Sequence, residues 1–249
     1  MAGHAFLAFT LVTVAARLLD VDVRHALVLG VTAALFAVLP DVDMVYAWTE
    51  IAAVFTTGLS GFVDAFWTAS QATHRGISHS LVTAVIGATG FSLLYTGRDA
   101  AAAATFTGLL AGAFVFGGLL PLGVMAVFIA AGVGITGFLR KNTGLSGAAF
   151  FAAALAGLGS HPFGDVFTGQ PPTFLHPMDI PVLTERAVLH PDPVINLLSV
   201  FFLELGTVVA GTALFLALTG RPVRDHVHPV AGLGLLYGAA VVIVPAPTL

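Results

Sequence analysis

The sequence predicts an all-α fold: a polytopic transmembrane helical bundle of about eight spans, with an interfacial insertion and a Pro-rich loop. Three observations carry this reading. Of the 249 residues, 57% are hydrophobic and only 9% charged, and the mean hydropathy is +0.98; a soluble globule that apolar has too little polar surface to stay dispersed. The apolar residues come in runs of helical length, as lipid demands, because a crossing segment must pair its own backbone polar groups. Finally, 28 glycines and long alanine runs let helices approach closely where apolar burial gives no drive for association.

The eight runs are, in order, His4 to Leu19, His25 to Leu39, Ser80 to Tyr95, Ala100 to Leu120, Leu122 to Leu139, Leu145 to Gly159, Val194 to Leu218 and Pro229 to Val244. Nothing basic precedes the first, and Arg17 lies at its far end, so it reads as a retained helix rather than a signal peptide. Pro121 separates the fourth run from the fifth and predicts the turn between them, since it has no amide hydrogen to continue a helix. Several runs hold about 16 residues, roughly 24 Å of helix against a hydrocarbon core of about 30 Å, so their ends should lie below the membrane surface. Two connections are long. Met44 to Thr73, with Glu50 and Asp64 among apolar and aromatic groups, reads as interfacial helices or a re-entrant pair. The segment 166–192 carries Pro171, Pro172, Pro177, Pro181 and Pro191 and reads as an extramembrane loop, with His176 and His190 exposed on it. The whole of 1–249 reads as a single integral membrane domain.

Charge sets the orientation. If each run crosses once and 44–73 crosses an even number of times, Arg17, Arg24, Arg98, Arg140, Lys141, Arg221 and Arg224 fall on one side. These are seven of the nine Lys and Arg residues, which predicts that this face is cytoplasmic, in the cell membrane. The same crossing count puts His4, Asp41, Asp43, His74, His79, His161 and Asp165 together on the other, extracytoplasmic face. The net charge of −4 and the lack of a basic run exclude a nucleic-acid partner. Cysteine is absent, which excludes disulfides, thiolate ligands and cysteine nucleophiles, so any metal must be held by His and carboxylate.

Three short motifs carry the chemistry. In Leu39-Pro40-Asp41-Val42-Asp43, carboxylates at i and i+2 project the same way from an extended or turning backbone and can grip one hard divalent cation; the plainer reading makes Asp41 the cap of a following helix. In His74-Arg75-Gly76-Ile77-Ser78-His79-Ser80, Gly76 permits a bend that brings both imidazoles together. Ser78 is the expected cap of a helix starting at His79, and Arg75 offers a bidentate donor for phosphate. In His161-Pro162-Phe163-Gly164-Asp165, His and Asp four apart share a helix face, with Pro162 in a first turn. His4 stands alone at the start of the first run, where, taken by itself, the sequence favours a structural role as a satisfied interfacial side chain.

Burying four His and three Asp at one membrane face without partners costs several kcal/mol each, roughly, so a shared partner is expected. His plus carboxylate without sulfur suits a divalent metal, Zn²⁺ first, with Mn²⁺ or Fe²⁺ as alternatives. The predicted metal ligands are His4, Asp41, Asp43, His79, His161 and Asp165; His74 and Arg75 are the predicted catalytic pair, His74 moving protons and Arg75 holding a substrate anion. Glu204, inside a span, is expected to face the bundle interior. No Gly-rich phosphate loop, Gly-x-Ser-x-Gly elbow or His-Glu-x-x-His helix is present.

The early His4, Leu-Pro-Asp-x-Asp at 39–43, His-Arg-Gly-x-x-His-Ser at 74–80, and His-Pro-x-x-Asp at 161–165 followed by Gly169 and Pro177 resemble, in that order, the family of membrane-bound metal-dependent hydrolases, also described as LexA-binding, inner-membrane-associated hydrolases. The resemblance covers the chain from His4 to about Pro177 and departs from the family pattern in the insertion Met44 to Thr73. It implies a multi-helix membrane protein with metal-dependent hydrolase activity, and it matches the same seven His and Asp positions to the family's polar residues. The function expected is hydrolysis of an ester or phosphoester, with the lipid bilayer as partner and a lipid-linked substrate. The alternative is a transporter or permease that uses the same cluster as an ion or proton site, with Glu204 as its mid-span group. A third reading is a structural protein in which a metal holds the helices together.

Overall fold

The structure, a computed structural model, describes residues 2–44, 61, 75–168, 171–178 and 180–243, with side chains placed as far as 236. Among these residues it contains eight α-helices and no strand: α1 Ala2–Leu18, α2 Val23–Ala37, α3 Leu81–Tyr95, α4 Asp99–Gly117, α5 Leu119–Asn142, α6 Gly147–Asp165, α7 Pro193–Leu218 and α8 Val223–Ile243. Each predicted run corresponds to one helix. Four segments are long and apolar enough to cross a membrane, Val23–Met44, Asp99–Gly117, Leu119–Asn142 and Pro193–Leu218, while Ala2–Leu18 and Leu81–Tyr95 are shorter apolar helices. Together they form a helical membrane bundle. Apart from Met44 and Gly61, the insertion predicted at 44–73 lies outside the described residues, and so does His74.

Polar side chains set most helix starts, by accepting from the amide hydrogens that the first turn leaves unpaired. Asp22 accepts from His25 N at the start of α2, Ser80 from Val82 N at α3, Ser146 from Ala149 N at α6, and Asp192 from Val194 N and Ile195 N at α7. Two local expectations change. The break between α4 and α5 falls at Gly118, whose φ of 81° suits glycine, and Pro121 sits inside the first turn of α5, where its missing amide hydrogen costs nothing. Similarly, α3 is capped by Ser80, not Ser78, because Ile77–His79 forms a separate 3-10 turn that ends before the helix begins.

The helices pack in a connected set: α1 lies against α2, α6 and α7, α2 against α6, and α3 against α4, α5 and α6. A Cβ on Gly157 of α6 would lie 2.2 Å from the Ala33 carbonyl oxygen of α2. Only glycine permits that backbone approach, the device by which small residues bring helices together in lipid. The interior is aromatic. Phe36 meets Phe91 at 5.3 Å and the edge of Phe150 at 5.6 Å, and Phe91 meets Phe128 at 5.9 Å between ring centroids. On the outer surface of α4 and α5, Val115, Phe116, Leu119 and Phe138 are exposed, which in a membrane means contact with lipid.

The antiparallel helices also sort the polar groups. Arg140, at the end of α5, donates to the Leu94 carbonyl at 3.1 Å and lies 3.9 Å from Asp99. That end of the bundle holds the α3–α4 and α5–α6 turns. The opposite end holds the start of α1 and the ends of α2 and α6, where the His and Asp residues lie.

Candidate metal centre

Four chain segments build the centre. α1 contributes His4 from its first turn; the 3-10 turn over 40–44 that follows α2 contributes Asp41 and Asp43; the turn Ile77–His79 contributes His79; and the last turn of α6 contributes His161 and Asp165. All six are buried, with His79 and His161 completely so. The 161–165 motif is not a helix start, as the sequence suggests, but the end of the nineteen-residue α6, with Pro162 inside it. One turn of helix separates His161 from Asp165, and Asp165 Oδ2 lies 3.3 Å from His161 Nε2.

The donor atoms converge. His79 Nε2 is 3.1 Å from His161 Nε2, 3.1 Å from Asp165 Oδ2 and 3.9 Å from Asp41 Oδ1. His161 Nε2 is 3.3 Å from Asp41 Oδ1. Ligand atoms held about 2.0 Å from one tetrahedral ion are about 3.3 Å apart, so the spacings among Asp41 Oδ1, His79 Nε2 and His161 Nε2 fit three ligands of one ion, and Asp165 Oδ2 lies in the same range of both nitrogens.

The far edges of both rings fix which nitrogen carries the hydrogen. The Ala37 carbonyl can only accept, so His161 Nδ1, 2.6 Å away, donates to it. On the other ring, His79 Nδ1 lies 3.3 Å from Asp43 Oδ2 and 3.0 Å from Ser78 Oγ, and the Ser78 hydroxyl itself donates to Asp43 at 2.9 Å. In their neutral forms, therefore, both rings turn a lone pair toward the same point, beside two carboxylate oxygens. A proton joins only two of these atoms at a time, whereas Asp41, His79 and His161 together could hold one divalent cation. A carbonyl behind one imidazole and a carboxylate behind the other are the usual supports of metal-binding histidines.

Electrostatics pull His79 both ways. Burial, the largest influence, disfavours its charged form, but hydrogen bonds to Asp165 and Asp43 outweigh it and raise the pKa above the ordinary value.

Asp41 and Asp43 do not meet at one point, as the Asp-x-Asp spacing suggests: they flank one imidazole, Asp41 facing Nε2 and Asp43 facing Nδ1. The 3-10 turn separates side chains at i and i+2, which an extended backbone would align. His4 stands beside the four converging atoms. Its ring lies 4.2 Å from that of His161, Nε2 is 3.5 Å from Asp165 Oδ1, and Nδ1 has no hydrogen-bond partner among the described residues. His4, His161 and Asp165 form a second group able to share an ion.

Arg75 lies at the rim, with a φ of 69° that is unusual outside glycine. Its Nη2 donates to Thr168 Oγ1 at 2.7 Å, and its carbonyl accepts from Thr173 N at 3.2 Å. Burial, the largest influence on the guanidinium, lowers its pKa, and the charges of Asp165 and Asp41 oppose this. Glu204 is half-buried on α7, its methylenes against Gly3 at the start of α1. Sequence reasoning missed Ser78 as a bridge and the Ala37 carbonyl as a support. A serine beside a histidine was a visible signal, whereas a backbone carbonyl leaves no mark in residue type.

No curated protein and no solved structure matches the chain. Residues 1–244 match the family model described as YdjM inner membrane protein, a match that takes in every helix and the buried His and Asp cluster. The chain belongs to the YdjM inner membrane protein family.

Proposed function

We propose that the protein is a membrane-embedded, metal-dependent hydrolase of esters or phosphoesters. The observation that carries the proposal is the convergence of His79 Nε2, His161 Nε2 and Asp41 Oδ1 at spacings suited to one ion, with Asp165 Oδ2 close to both nitrogens and both imidazoles supported from behind. Zn²⁺ fits this donor set best, with Mn²⁺ or Fe²⁺ next. When bound, such an ion supplies Lewis acidity, activating water and offsetting negative charge at the reacting ester.

The chain's own residues do the rest. Asp43 and Ser78 hold His79 in the tautomer that presents Nε2, and the Ala37 carbonyl does the same for His161. His4, its ring tilted against that of His161 and its Nε2 facing Asp165, is proposed to carry a second ion or a proton. Arg75 is proposed to hold a substrate anion, and His74, its neighbour in sequence, to act as a proton carrier. The protein sits in the cell membrane with this centre on the extracytoplasmic side and acts on a lipid-linked substrate.

The test uses the full chain purified in detergent. Elemental analysis should find about one or two equivalents of a transition metal per chain, and the metal-loaded protein should hydrolyse a chromogenic ester or phosphoester, with Asp165→Asn losing both properties. Metal content below one equivalent after loading, with thermal stability unmoved by added metal, overturns the proposal. Full metal loading with no hydrolysis of either class favours the structural-metal reading instead.

A further inference from the structure

Of the nine Lys and Arg residues, seven belong to the end of the bundle away from the buried cluster. The other two, Arg75 and Arg186, lie near it, held to the same short stretch after α6. Arg75 Nη2 donates to Thr168 Oγ1 at 2.7 Å, and Thr168 in turn donates to the Asp165 carbonyl at 3.3 Å. Beside Arg186, Ala187 N donates to the Val166 carbonyl at 2.9 Å. Arg186 is exposed and close enough for its charge to act on Arg75. No helix or motif brings this pair together; the folding back of the Pro-rich loop does.

A cavity of about 290 Å³ begins at the same threonine. It runs between α1, α6 and α7, with an apolar wall that includes Leu7, Phe163, Phe167, Val200 and Leu203. Its polar boundary includes His4 and Thr168, and Glu204 lies at the side facing Gly3. One wall of the cavity is thus the metal centre's own His4, one corner is the residue that anchors Arg75, and the remainder suits hydrocarbon. Helices of the bundle surround it, and the solvent around them is lipid.

The geometry points to a phosphate-bearing lipid as the substrate class, its phosphate held between the centre and the pair Arg75 and Arg186, its hydrocarbon chain entering the cavity beside His4. This rests on the hydrolase reading above and narrows its substrate. With a divalent ion bound, the ion and two guanidiniums balance the carboxylates of Asp41, Asp43, Asp165 and Glu204, so no net negative charge opposes an anion there. Arg is the residue suited to bidentate contact with phosphate oxygens. The apolar cavity supplies what a free phosphate does not need and a lipid does.

The test is a binding titration of the purified, zinc-loaded full chain with methyl phosphate and octyl phosphate, repeated on zinc-free protein. Octyl phosphate should bind at least about tenfold more tightly than methyl phosphate, since several methylenes leave water. Val200→Phe, which fills the cavity, should remove that difference while leaving methyl phosphate unchanged. Arg186→Gln, at an exposed position, should weaken both ligands about tenfold. Equal affinity for the two phosphates, or a chain-length difference that survives Val200→Phe, overturns the lipid assignment. Unchanged binding in Arg186→Gln overturns the arginine pair. Neither readout needs turnover, so a protein that binds octyl phosphate as described and hydrolyses nothing sinks the enzyme reading alone. One that hydrolyses a soluble ester without preferring octyl phosphate sinks only this inference.

Discussion

His79 and His161, 82 residues apart in sequence, bring their Nε2 atoms within 3.1 Å of each other, while each ring's Nδ1 is held by a different part of the chain. With both Nδ1 atoms donating elsewhere, the two Nε2 lone pairs face each other and need a proton or a metal ion between them, and the carboxylate oxygens beside them favour the metal ion.

That pairing predicts the effect of losing one ring. His161→Ala removes a proposed ligand and also the donor to the Ala37 carbonyl at the end of α2. The variant should lose bound metal, and the thermal midpoint should no longer rise on metal addition. It should also melt below the metal-free wild type, because a buried carbonyl left without a donor costs about 1–3 kcal/mol. Metal analysis and melting curves with and without chelator measure both effects; a variant that keeps its metal refutes the ligand assignment.

Asp43 and Asp41 should behave differently although only one residue separates them. Asp43 supports His79 from behind, so Asp43→Asn should retain a metal site weakened about 10- to 100-fold, the usual cost of losing such a support. Asp41→Asn acts on a donor atom itself and should weaken the site more. Competition with a chromophoric chelator ranks the two, and equal losses would mean that both carboxylates reach the ion.

Gly164 predicts a coupling. A Cβ there would lie 2.2 Å from His4 Nε2, a contact that some atom must relieve. Gly164→Ala should destabilise the protein by about 1–3 kcal/mol, as overpacking does. In a His4→Ala background the same change should cost much less, giving a clear interaction energy in a double-mutant cycle. Additive effects would show that His4 swings aside freely.

Membrane orientation is open to a direct measurement because the chain has no cysteine. Arg186→Cys places a single thiol near the centre, and Arg221→Cys places one at the opposite end of the bundle. In intact cells, a membrane-impermeant maleimide should label the first and not the second until the membrane is opened. The reverse pattern would put the centre on the cytoplasmic face.

The helices were readable from the sequence because lipid imposes one rule on every crossing segment: each apolar run became a helix, and Ser80, Ser146 and Asp192 start helices by capping chemistry. What sequence spacing did not convey was local geometry decided by packing. Pro121 looks like a breaker, yet Gly118 makes the turn. Asp41 and Asp43 look like a chelating pair, yet a 3-10 turn sends them to opposite edges of one ring. The gathering of His4, Asp41, Asp43, His79, His161 and Asp165 followed from counting crossings, whereas the position of Arg186 depends on a loop with no periodic signal.

The hydroxyl of Ser80 donates to the His176 carbonyl at 2.7 Å, and Leu81 N donates to the Phe174 carbonyl at 2.8 Å. The first residues of α3 are thus stitched to the strap that crosses above them, one position along from His79. A molecule that pushes this strap aside has to break bonds at the root of a buried imidazole. The loop after α6 and the turn that carries His79 are therefore fastened by the same two hydrogen bonds, so a shift of one is felt by the other.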